Sequence, residues 1–297
     1  MTGRWAIVVH GGAKSIDPAQ AEANRCGCLA AVAAGQAVLE AGGAAVDAVE
    51  AAIRVLEDDP TFNAGRGSVR NAAGDVEMDA ALMDGQTLDL GGVAAIRGVR
   101  HPITVARLML REDPVLLVAD GARTFAAERG AERCDPPAPM LPGNGAGRGG
   151  AGRDTVGCVA LDLQGHLAAG TSTGGLEGCA VGRVGDSPLP GCGLYAEDGV
   201  GAVSFSGDGE AIARTMLASR VVRGLEGGDP DSAVERALVR LVSLGADGGA
   251  IALDGAGRIG WNHNSRNFAV GYVVSGAGDA RAFLAKAEER EIGQDAG

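Results

Sequence analysis

The chemistry suggested by this sequence centres on a threonine at the start of an apolar segment. Thr155 follows Asp154 and opens the run Thr-Val-Gly-Cys-Val-Ala-Leu. If the bond between the two residues were cut, Thr155 would become an N-terminal residue. Its α-amine, with a pKa of about 7.7–8.0, would then accept the proton of its own hydroxyl at neutral pH. One residue would supply both nucleophile and base; the alternative is an ordinary capped entry into a strand.

Further clusters of hydroxyl and ion-pairing residues lie on Gly-rich segments along the chain. After Thr155 come 171–175 (Thr-Ser-Thr-Gly-Gly), 182–188 (Gly-Arg-Val-Gly-Asp-Ser-Pro) and 204–210 (Ser-Phe-Ser-Gly-Asp-Gly-Glu). Before it come 10–13 (His-Gly-Gly-Ala), 63–65 (Asn-Ala-Gly) and 78–80 (Met-Asp-Ala). In this order, over essentially the whole chain, the motifs resemble the plant-type L-asparaginase and isoaspartyl peptidase family of N-terminal-nucleophile hydrolases.

The resemblance implies roles for the residues that match. Thr155 would be exposed by self-cleavage and become the nucleophile, and Thr173 would hydrogen-bond its hydroxyl and orient it. Arg183 and Asp186 would hold the α-carboxylate and α-ammonium of an aspartyl substrate, since a planar guanidinium binds a carboxylate through two hydrogen bonds. The alternatives are ordinary strand-end pairing for Thr173 and a mutual salt bridge for the charged pair.

The resemblance also implies an oxyanion hole and a pocket wall. The hydroxyl of Ser206 and the backbone N–H of Gly207 would stabilise the charge that appears only in the transition state. Gly209 would shape the pocket, and Asn63 would lie near Thr155. The family commonly has Thr at the Ser206 position, and a hydroxyl donor survives that change.

Two other departures from the family pattern concern substrate access. Lys14 stands where many members have Gly after His-Gly-Gly-Ala, and this change could alter the substrate entrance. Asp208 occupies a variable position and could repel anionic peptides.

The segment 56–68 resembles the cation loop of the family, in which backbone carbonyls hold a sodium ion. The resemblance implies these ligand-supplying residues: Leu56, Glu57, Asp59, Phe62, Ala64 and Arg66. The alternative is a sharp helix exit that contains Pro60. The chemistry itself requires no cofactor, because Thr155 would supply both nucleophile and base.

Two short motif matches suggest other activities but do not fit their surroundings. The glycines of 145–150 match a dinucleotide fingerprint, which functions only between a strand and a helix. Here the match follows a Pro-rich tract and precedes a strand. The segment 170–174 matches the nucleophile elbow of serine hydrolases, which needs a helix directly after the turn. The following residues are too Gly-rich for a helix, so we expect neither site.

The elements that position these groups are predicted from apolar periodicity and from Pro and Gly. Strands are predicted over 4–10, 75–84, 114–118, 156–163, 166–171, 200–206, 249–253, 258–261 and 268–274. Helices are predicted over about 18–40, 45–58, 102–111, 121–128, 208–224 and 231–244. Strands in hairpins and helices in sequential pairs favour stacked sheets with helices outside. Together with the resemblance, this pattern predicts an α/β fold, the four-layer αββα sandwich of N-terminal-nucleophile hydrolases.

The segment 135–153 differs from the rest of the chain. It is rich in Pro and Gly and almost lacks aliphatic residues, which predicts a flexible linker ahead of the cleavage site. We expect a single domain over 1–297, cut into an α chain, 1–154, and a β chain, 155–297, that complete the sheets together. By resemblance the working unit is a dimer of αβ heterodimers.

Composition restricts the partners and the compartment. The net charge of −12 leaves no surplus of cations for nucleic acid or an anionic membrane. The 6 cysteines include no Cys-x-x-Cys pair and no clustered His partners, which argues against zinc. The N-terminus lacks the features of a secretory signal, and the longest apolar stretch carries too many charges to span a membrane. We therefore expect a cytoplasmic protein that acts on a small molecule.

The predicted reaction is hydrolysis of the side-chain amide of L-asparagine or of a β-aspartyl dipeptide, through an acyl-enzyme on Thr155. Two alternatives remain open. A glycosylasparaginase shares the nucleophile, whereas a non-enzymatic Gly-rich binding or scaffold protein would keep the 154–155 bond intact. The sequence does not rank asparagine against isoaspartyl dipeptides, because the discriminating loops have no readable side-chain code.

Overall fold

A computed structural model describes residues 3–134 and 154–295 of the chain, with side chains described as far as residue 291. The predicted linker at 135–153 and the fingerprint match at 145–150 lie outside the described residues. Within the described ranges, no helix is long and apolar enough to cross a membrane.

In the part of the chain that the structure describes, two β-sheets carry the site residues. The strands of the larger sheet are β1 (Ala6–Lys14), β2 (Met78–Asp84), β3 (Leu90–Ile96), β4 (Leu116–Val118), β5 (Thr155–Leu161), β6 (Leu167–Thr173), β11 (Asn267–Val274) and β12 (Arg281–Phe283). Their order is β12-β11-β1-β5-β6-β2-β3-β4, and neighbours are antiparallel except β3 and β4. The smaller sheet contains β7 (Leu194–Glu197), β8 (Gly201–Gly207), β9 (Gly248–Asp254) and β10 (Ile259–His263). Its order is β10-β9-β8-β7, with all neighbours antiparallel.

Some of the helices start with a proline or a capping side chain. The helices are α1 (Ala21–Glu40), α2 (Ala45–Asp58), α3 (Pro102–Met109), α4 (Ala119–Glu128), α5 (Gly209–Thr215), α6 (Leu217–Leu225), α7 (Pro230–Ser243) and α8 (Lys286–Asp295). Pro102 and Pro230 occupy the first turn of their helices, where the missing N–H costs no hydrogen bond. Asp229 caps α7 by accepting the N–H of Ser232.

Among the described residues, three hydrophobic clusters hold the elements together. One lies between the larger sheet and α1 to α4, and it includes Ile7 and Val9. A second joins the two sheets, with Val8 on one side and Ile251 on the other. The third joins β8 and β9 to α5, α6 and α7 around Phe205. Alternate residues of β1 thus enter different clusters, as expected for a strand buried on both faces.

Most predicted elements are present, with one correction to a helix. The helix predicted over 208–224 is two helices, α5 and α6, separated at Met216, whose φ of 49° and ψ of 56° are left-handed. The N–H groups of Ala218 and Ser219 donate to the carbonyls of Cys192 and Gly191 instead of continuing one helix. The apolar periodicity predicts one continuous helix here, but hydrogen bonds to residues distant in sequence divide it into two.

The other differences are a strand that begins later than predicted and four elements that the sequence did not predict. The strand predicted over 75–84 begins at Met78, and β3, β7, β12 and α8 were not predicted. Strand β3 contains Gly91 and Gly92, which usually weaken strands. Strand β6 ends at Thr173 with no helix directly after it, so the expectation that 170–174 is not a nucleophile elbow is confirmed.

Candidate active site

The predicted nucleophile lies at the start of a central strand. Thr155 is the first residue of β5 and pairs with Thr173, the last residue of β6. Thr173 in turn pairs with Asp79 of β2, so three motif residues lie side by side across the sheet. The smaller sheet approaches from the other side, and the N–H of Thr155 donates to Oγ of Ser206 at 3.1 Å.

The hydroxyl of Thr155 contacts a serine to which we assigned no role from the sequence. Oγ1 of Thr155 and Oγ of Ser187 are 2.9 Å apart, and both residues are buried. The carbonyl of Ser187 accepts a hydrogen bond from the Thr171 hydroxyl at 2.6 Å, which fixes its position. The only sequence signal was that Ser187 stands in the motif at 182–188.

Two side chains donate to the carbonyl of the bond that we expect to be cut. Oγ1 of Thr173 lies 3.0 Å from the carbonyl oxygen of Asp154, and Nδ2 of Asn63 lies 3.2 Å from it. In the continuous chain Thr173 gives its one hydroxyl proton to the Asp154 carbonyl, so its expected hydrogen bond to the Thr155 hydroxyl after cleavage stays a prediction. Thr173 is directly opposite Thr155 in the ladder, so its side chain reaches the preceding peptide group.

Hydrogen bonds at both Nδ2 and Oδ1 hold the Asn63 side chain in place. Its Nδ2 also donates to the carbonyl of Gly175 at 2.8 Å, and its Oδ1 accepts the N–H of Val69 at 3.0 Å. A Cβ at Gly174 would lie 2.5 Å from Oδ1 of Asn63, so glycine is needed for this close approach. Asn63 therefore presents one amide hydrogen to the Asp154 carbonyl in a fixed direction.

The predicted oxyanion residues lie at the end of β8. The buried Oγ of Ser206 accepts the N–H groups of Ala13, at 3.0 Å, and of Thr155, at 3.1 Å. A hydroxyl has two acceptor positions and one proton, so Ser206 still has a proton to donate. Gly207 has a φ of +150°, and a Cβ there would lie 2.4 Å from the carbonyl oxygen of Asp247. Only glycine fits this position.

Arg183 is paired with the carboxylate of Glu210, whereas from the sequence we considered Asp186 as its ion-pair partner. Its Nε and Nη2 each lie 2.9 Å from an oxygen of Glu210. Among the ion pairs of the described residues, Arg183 is joined to Glu210 and not to Asp186. Glu210 therefore occupies the guanidinium edge on which we expect the α-carboxylate of the substrate. The only sequence signal for Glu210 was that it ends the motif at 204–210.

Asp186 lies buried beside this ion pair. Burial raises the pKa of Asp186 to about 7, and the charge of Arg183 opposes the increase. Its Oδ2 has no hydrogen-bond partner among the described residues. A Cβ at Gly209 would lie 2.9 Å from Oδ1 of Asp186 and 3.0 Å from Nη2 of Arg183. Gly209 thus leaves space for both charged groups, and the unpartnered carboxylate oxygen suits an ammonium ligand.

Lys14 lies close to the side chain of Asp154. Its Nζ is 2.9 Å from Oδ2 of Asp154, and the two side chains are 15% and 9% exposed. Nζ also donates to the carbonyl of Thr61 at 3.3 Å and lies 5.5 Å from the centre of the Phe62 ring. The residue that departs from the family pattern therefore contacts the residue before the nucleophile.

Two polar side chains near the site serve the scaffold. His10 is buried between the sheets, with Nε2 2.9 Å from Oγ of Ser204, and burial lowers the pKa of His10 to about 3. Its imidazole is therefore neutral at physiological pH. Asp208 caps α5 by accepting the N–H of Ala211 at 3.0 Å. This contact gives Asp208 a structural role at the start of the helix that follows Gly207.

The space around the nucleophile is small in the continuous chain. A cavity of about 10 Å³ is lined by Asp154, Thr155, Thr173, Gly175, Leu176, Arg183, Asp186, Ser187, Gly207 and Gly209. This volume holds about one water molecule. A larger cavity of about 860 Å³ lies beside α4, and its described lining shares only Arg66 with the predicted site residues. We assign the chemistry to the small cavity because the nucleophile and the ion-pairing groups face it.

The predicted cation loop follows α2. A Cβ at Gly67 would lie 2.0 Å from the carbonyl oxygen of Phe62 and 3.0 Å from that of Pro60. A Cβ at Gly65 would lie 2.4 Å from the carbonyl oxygen of Glu57. Carbonyls thus crowd around the two glycines, and oxygen ligands of this kind suit a hard cation. Among the described residues, no group of three His, Cys, Asp or Glu side chains could hold a metal ion.

The carboxylate of Glu57 is bound to groups outside this loop. Its Oε1 accepts the hydroxyl of Ser172 at 2.7 Å and the N–H of Ile103 at 3.0 Å. Burial raises the pKa of Glu57 to about 8. Because Ser172 precedes Thr173, Glu57 connects the end of α2 to the strand end that carries the site.

Comparisons with known proteins agree with these motifs. The sequence profile of a family described as Asparaginase matches residues 3–142 and 142–280. A Xenopus laevis protein named isoaspartyl peptidase/L-asparaginase is 42% identical over 276 residues, covering 84% of this chain and 86% of that protein. A Rattus norvegicus protein of the same name is 43% identical over 270 residues, covering 84% and 80%. The isoaspartyl peptidase of Escherichia coli strain K12 is 40% identical over 291 residues, covering 89% and 91%.

Proposed function

The chain belongs to the asparaginase family, and from this premise we propose that it is an isoaspartyl peptidase and L-asparaginase activated by cleavage of its own Asp154–Thr155 bond. One observation carries the proposal. The cavity at Thr155 is also lined by Arg183, which binds a carboxylate through two hydrogen bonds, and by Asp186, which has an unpartnered carboxylate oxygen. These groups match the two α-substituents of an aspartyl substrate.

Self-cleavage would begin with attack of the Thr155 hydroxyl on the carbonyl carbon of Asp154. The oxyanion would form where Thr173 and Asn63 already donate, at 3.0 and 3.2 Å. The C–N bond then breaks, and the hydroxyl proton ends on the nitrogen of Thr155. The resulting ester is opened by water, which leaves a carboxylate on Asp154 and a free amine on Thr155.

Substrate hydrolysis would use the same hydroxyl with a new base. The freed α-amine of Thr155 takes the proton of its own hydroxyl while the oxygen attacks the side-chain carbonyl of the substrate. The unused proton of Ser206 and the N–H of Gly207 would stabilise the oxyanion. The amine passes the proton to the leaving ammonia or peptide amine. Water then releases aspartate from the acyl-enzyme.

Recognition of the aspartyl group would depend on exchange at Arg183. The substrate α-carboxylate would displace the carboxylate of Glu210, whose side chain is 56% exposed and can move into water. The α-ammonium would pair with Asp186, in the space left by Gly209. Arg and Asp at these positions select a free amino acid or an N-terminal β-aspartyl residue, because an internal residue lacks one of the two charges.

The family resemblance also leads us to propose an architecture, a bound ion and an assembly for this protein. A four-layer αββα sandwich is supported by the three hydrophobic clusters between sheets and helices. A structural sodium ion would be held by loop carbonyls such as those of Glu57 and Phe62, which approach the glycines at 65 and 67. The dimer of αβ heterodimers and the cytoplasmic location stay predictions.

Mass and activity measurements on one preparation test the proposal. The purified protein is left to stand, and its intact mass is followed while hydrolysis of L-asparagine and β-aspartyl-leucine is assayed. We expect two fragments, 1–154 and 155–297, with activity appearing as they form. Thr155→Ala should stay uncut and inactive. A permanently single chain that hydrolyses these substrates would rule out the N-terminal nucleophile. Activity on glycosylated asparagine alone would favour the glycosylasparaginase alternative.

A further inference from the structure

Lys14 is held beside the predicted nucleophile by an ion pair with the residue that precedes the predicted cleavage site. Its ammonium group pairs with the carboxylate of Asp154 at 2.9 Å, and both side chains are largely buried. The remaining contacts are to neutral groups, the carbonyl of Thr61 and the ring of Phe62. The ammonium at the end of β1 is therefore held by the loop after α2, while its ionic partner belongs to the residue that would become the end of the α chain.

A substrate can reach Thr155 only when Asp154 has moved away. The cavity of about 10 Å³ at Thr155 has room for about one water molecule. The carbonyl of Asp154 fills the space in front of Thr173 and Asn63, and its side chain fills the space in front of Lys14. Departure of Asp154 thus opens the site and removes the counter-ion of Lys14 together.

We propose that Lys14 then binds the free carboxylate of the leaving residue of a β-aspartyl dipeptide. This inference rests on the proposed function, in which Arg183 and Asp186 hold the aspartyl half of the substrate. The leaving half departs on the side of the Thr155 amine, where Asp154 precedes it in the continuous chain. A carboxylate there takes the place of the Asp154 side chain, and L-asparagine has no group that does so. Lys14 therefore favours dipeptides with a free C-terminus over asparagine and over blocked peptides.

A matched pair of substrates tests this role in the processed parent protein. β-Aspartyl-leucine and β-aspartyl-leucinamide differ only in the carboxylate of the leaving residue. We expect kcat/KM to be about tenfold higher for the free acid, the size of one charge-assisted hydrogen bond. Added salt should reduce the ratio, because a partly exposed ion pair is screened. A parent ratio near one at low salt would overturn the inference.

Two variants at the same position separate charge from shape. In processed Lys14→Met, which keeps the apolar stem, the ratio between the two peptides should fall to near one. In Lys14→Arg, which keeps the charge, most of the preference should remain. A Lys14→Met enzyme with the parent ratio would overturn the inference. If that variant does not self-cleave, the parent ratio and its salt dependence decide alone. Absence of hydrolysis of asparagine and both peptides by the processed parent would instead contradict the proposed function.

Discussion

At the scale of single residues, different side chains bind the carbonyl and the N–H of the Asp154–Thr155 peptide bond. Thr173 and Asn63 donate to its carbonyl oxygen, which is where charge develops if the bond is attacked. Ser206 accepts its N–H, which is the group that becomes the free amine. Self-cleavage should therefore depend on Thr173 and Asn63, and substrate hydrolysis on Ser206. Variants should separate the two reactions.

Removing the hydroxyl of Thr173 should slow self-cleavage. We expect Thr173→Val to cleave about 10²- to 10³-fold more slowly, the usual cost of losing one preorganised donor to an oxyanion. Asn63 still donates to the same carbonyl, so cleavage should not stop completely. Thr173→Ser keeps the hydroxyl and serves as the control. The rate is measured by gel densitometry from freshly purified single chain, and parent-like cleavage of Thr173→Val would show that its hydroxyl does not stabilise the oxyanion.

The raised pKa of Asp186 should appear in the pH dependence of kcat/KM. Burial raises this pKa to about 7, so below that pH the free enzyme holds a neutral carboxyl that does not pair with the substrate ammonium. The α-amine of Thr155, with a pKa of about 7.7–8.0, must also lose its proton. For asparagine, log kcat/KM should therefore fall with a slope approaching 2 below about pH 6.

The variant Asp186→Asn separates these two ionisations. It removes one titrating group, so its kcat/KM should be lower and should fall with a slope of about 1. Steady-state rates on processed protein between pH 5 and 8 measure both slopes. A slope of 1 in the parent as well would mean that Asp186 is ionised throughout this range and does not control binding.

At the scale of elements, the break between α5 and α6 shows how tertiary contacts override periodicity. Met216 has left-handed dihedral angles and is 54% exposed, so its side chain gains little from burial there. Left-handed geometry costs a residue with a Cβ about 1–2 kcal/mol. The break persists because the loop at Gly191 and Cys192 takes the first N–H groups of α6. That loop directly follows the segment carrying Arg183 and Asp186.

Glycine at position 216 should stabilise the fold. We expect Met216→Gly to raise the free energy of unfolding by about 0.5–1 kcal/mol, because glycine adopts this conformation without strain. Ala213→Gly, within α5, should lower it by a similar amount. Urea unfolding of both variants in the uncut Thr155→Ala background measures the change. A loss of stability in Met216→Gly would show that the methionine side chain contributes more than the strain costs.

At the scale of the whole molecule, the larger sheet combines strands from the two sides of the predicted cleavage site. Strand β1, before the site, lies between β11 and β5, which follow it. Strand β6, after the site, pairs with β2, before it. Three ladders therefore join the predicted α and β chains, in addition to the hydrophobic clusters that both chains line.

The two fragments should stay together after cleavage. Their separation would expose three strand ladders and the cluster between the sheets, so we expect co-elution on size exclusion in native buffer. They should separate only in denaturant. The uncut Thr155→Ala protein provides the reference elution volume. Dissociation of active protein into free fragments in native buffer would contradict the shared sheet.

The amino-acid sequence by itself located most elements and pointed to the residues that we expect to carry the chemistry. Thr155 was singled out because it stands between a Gly-rich segment and an apolar strand, and Arg183 and Asp186 because the motif at 182–188 resembles that of a known family. Residue types, their order and their surroundings are local properties of the chain. Caps and prolines located helices such as α7 for the same reason. These features depend on residues a few positions apart, so they can be read without knowing the fold.

Only the tertiary structure decided which groups meet. Three contacts join residues that lie 27 to 140 positions apart in the chain: Glu210 with Arg183, Ser187 with the Thr155 hydroxyl, and Lys14 with Asp154. The tertiary structure also decides the partner of the Thr173 hydroxyl, which donates to the carbonyl before the nucleophile because strand register places it there. Hydrogen bonds and ion pairs act over about 3 Å. Their partners follow from how strands and loops stack in space, which residue types and spacing along the chain do not specify.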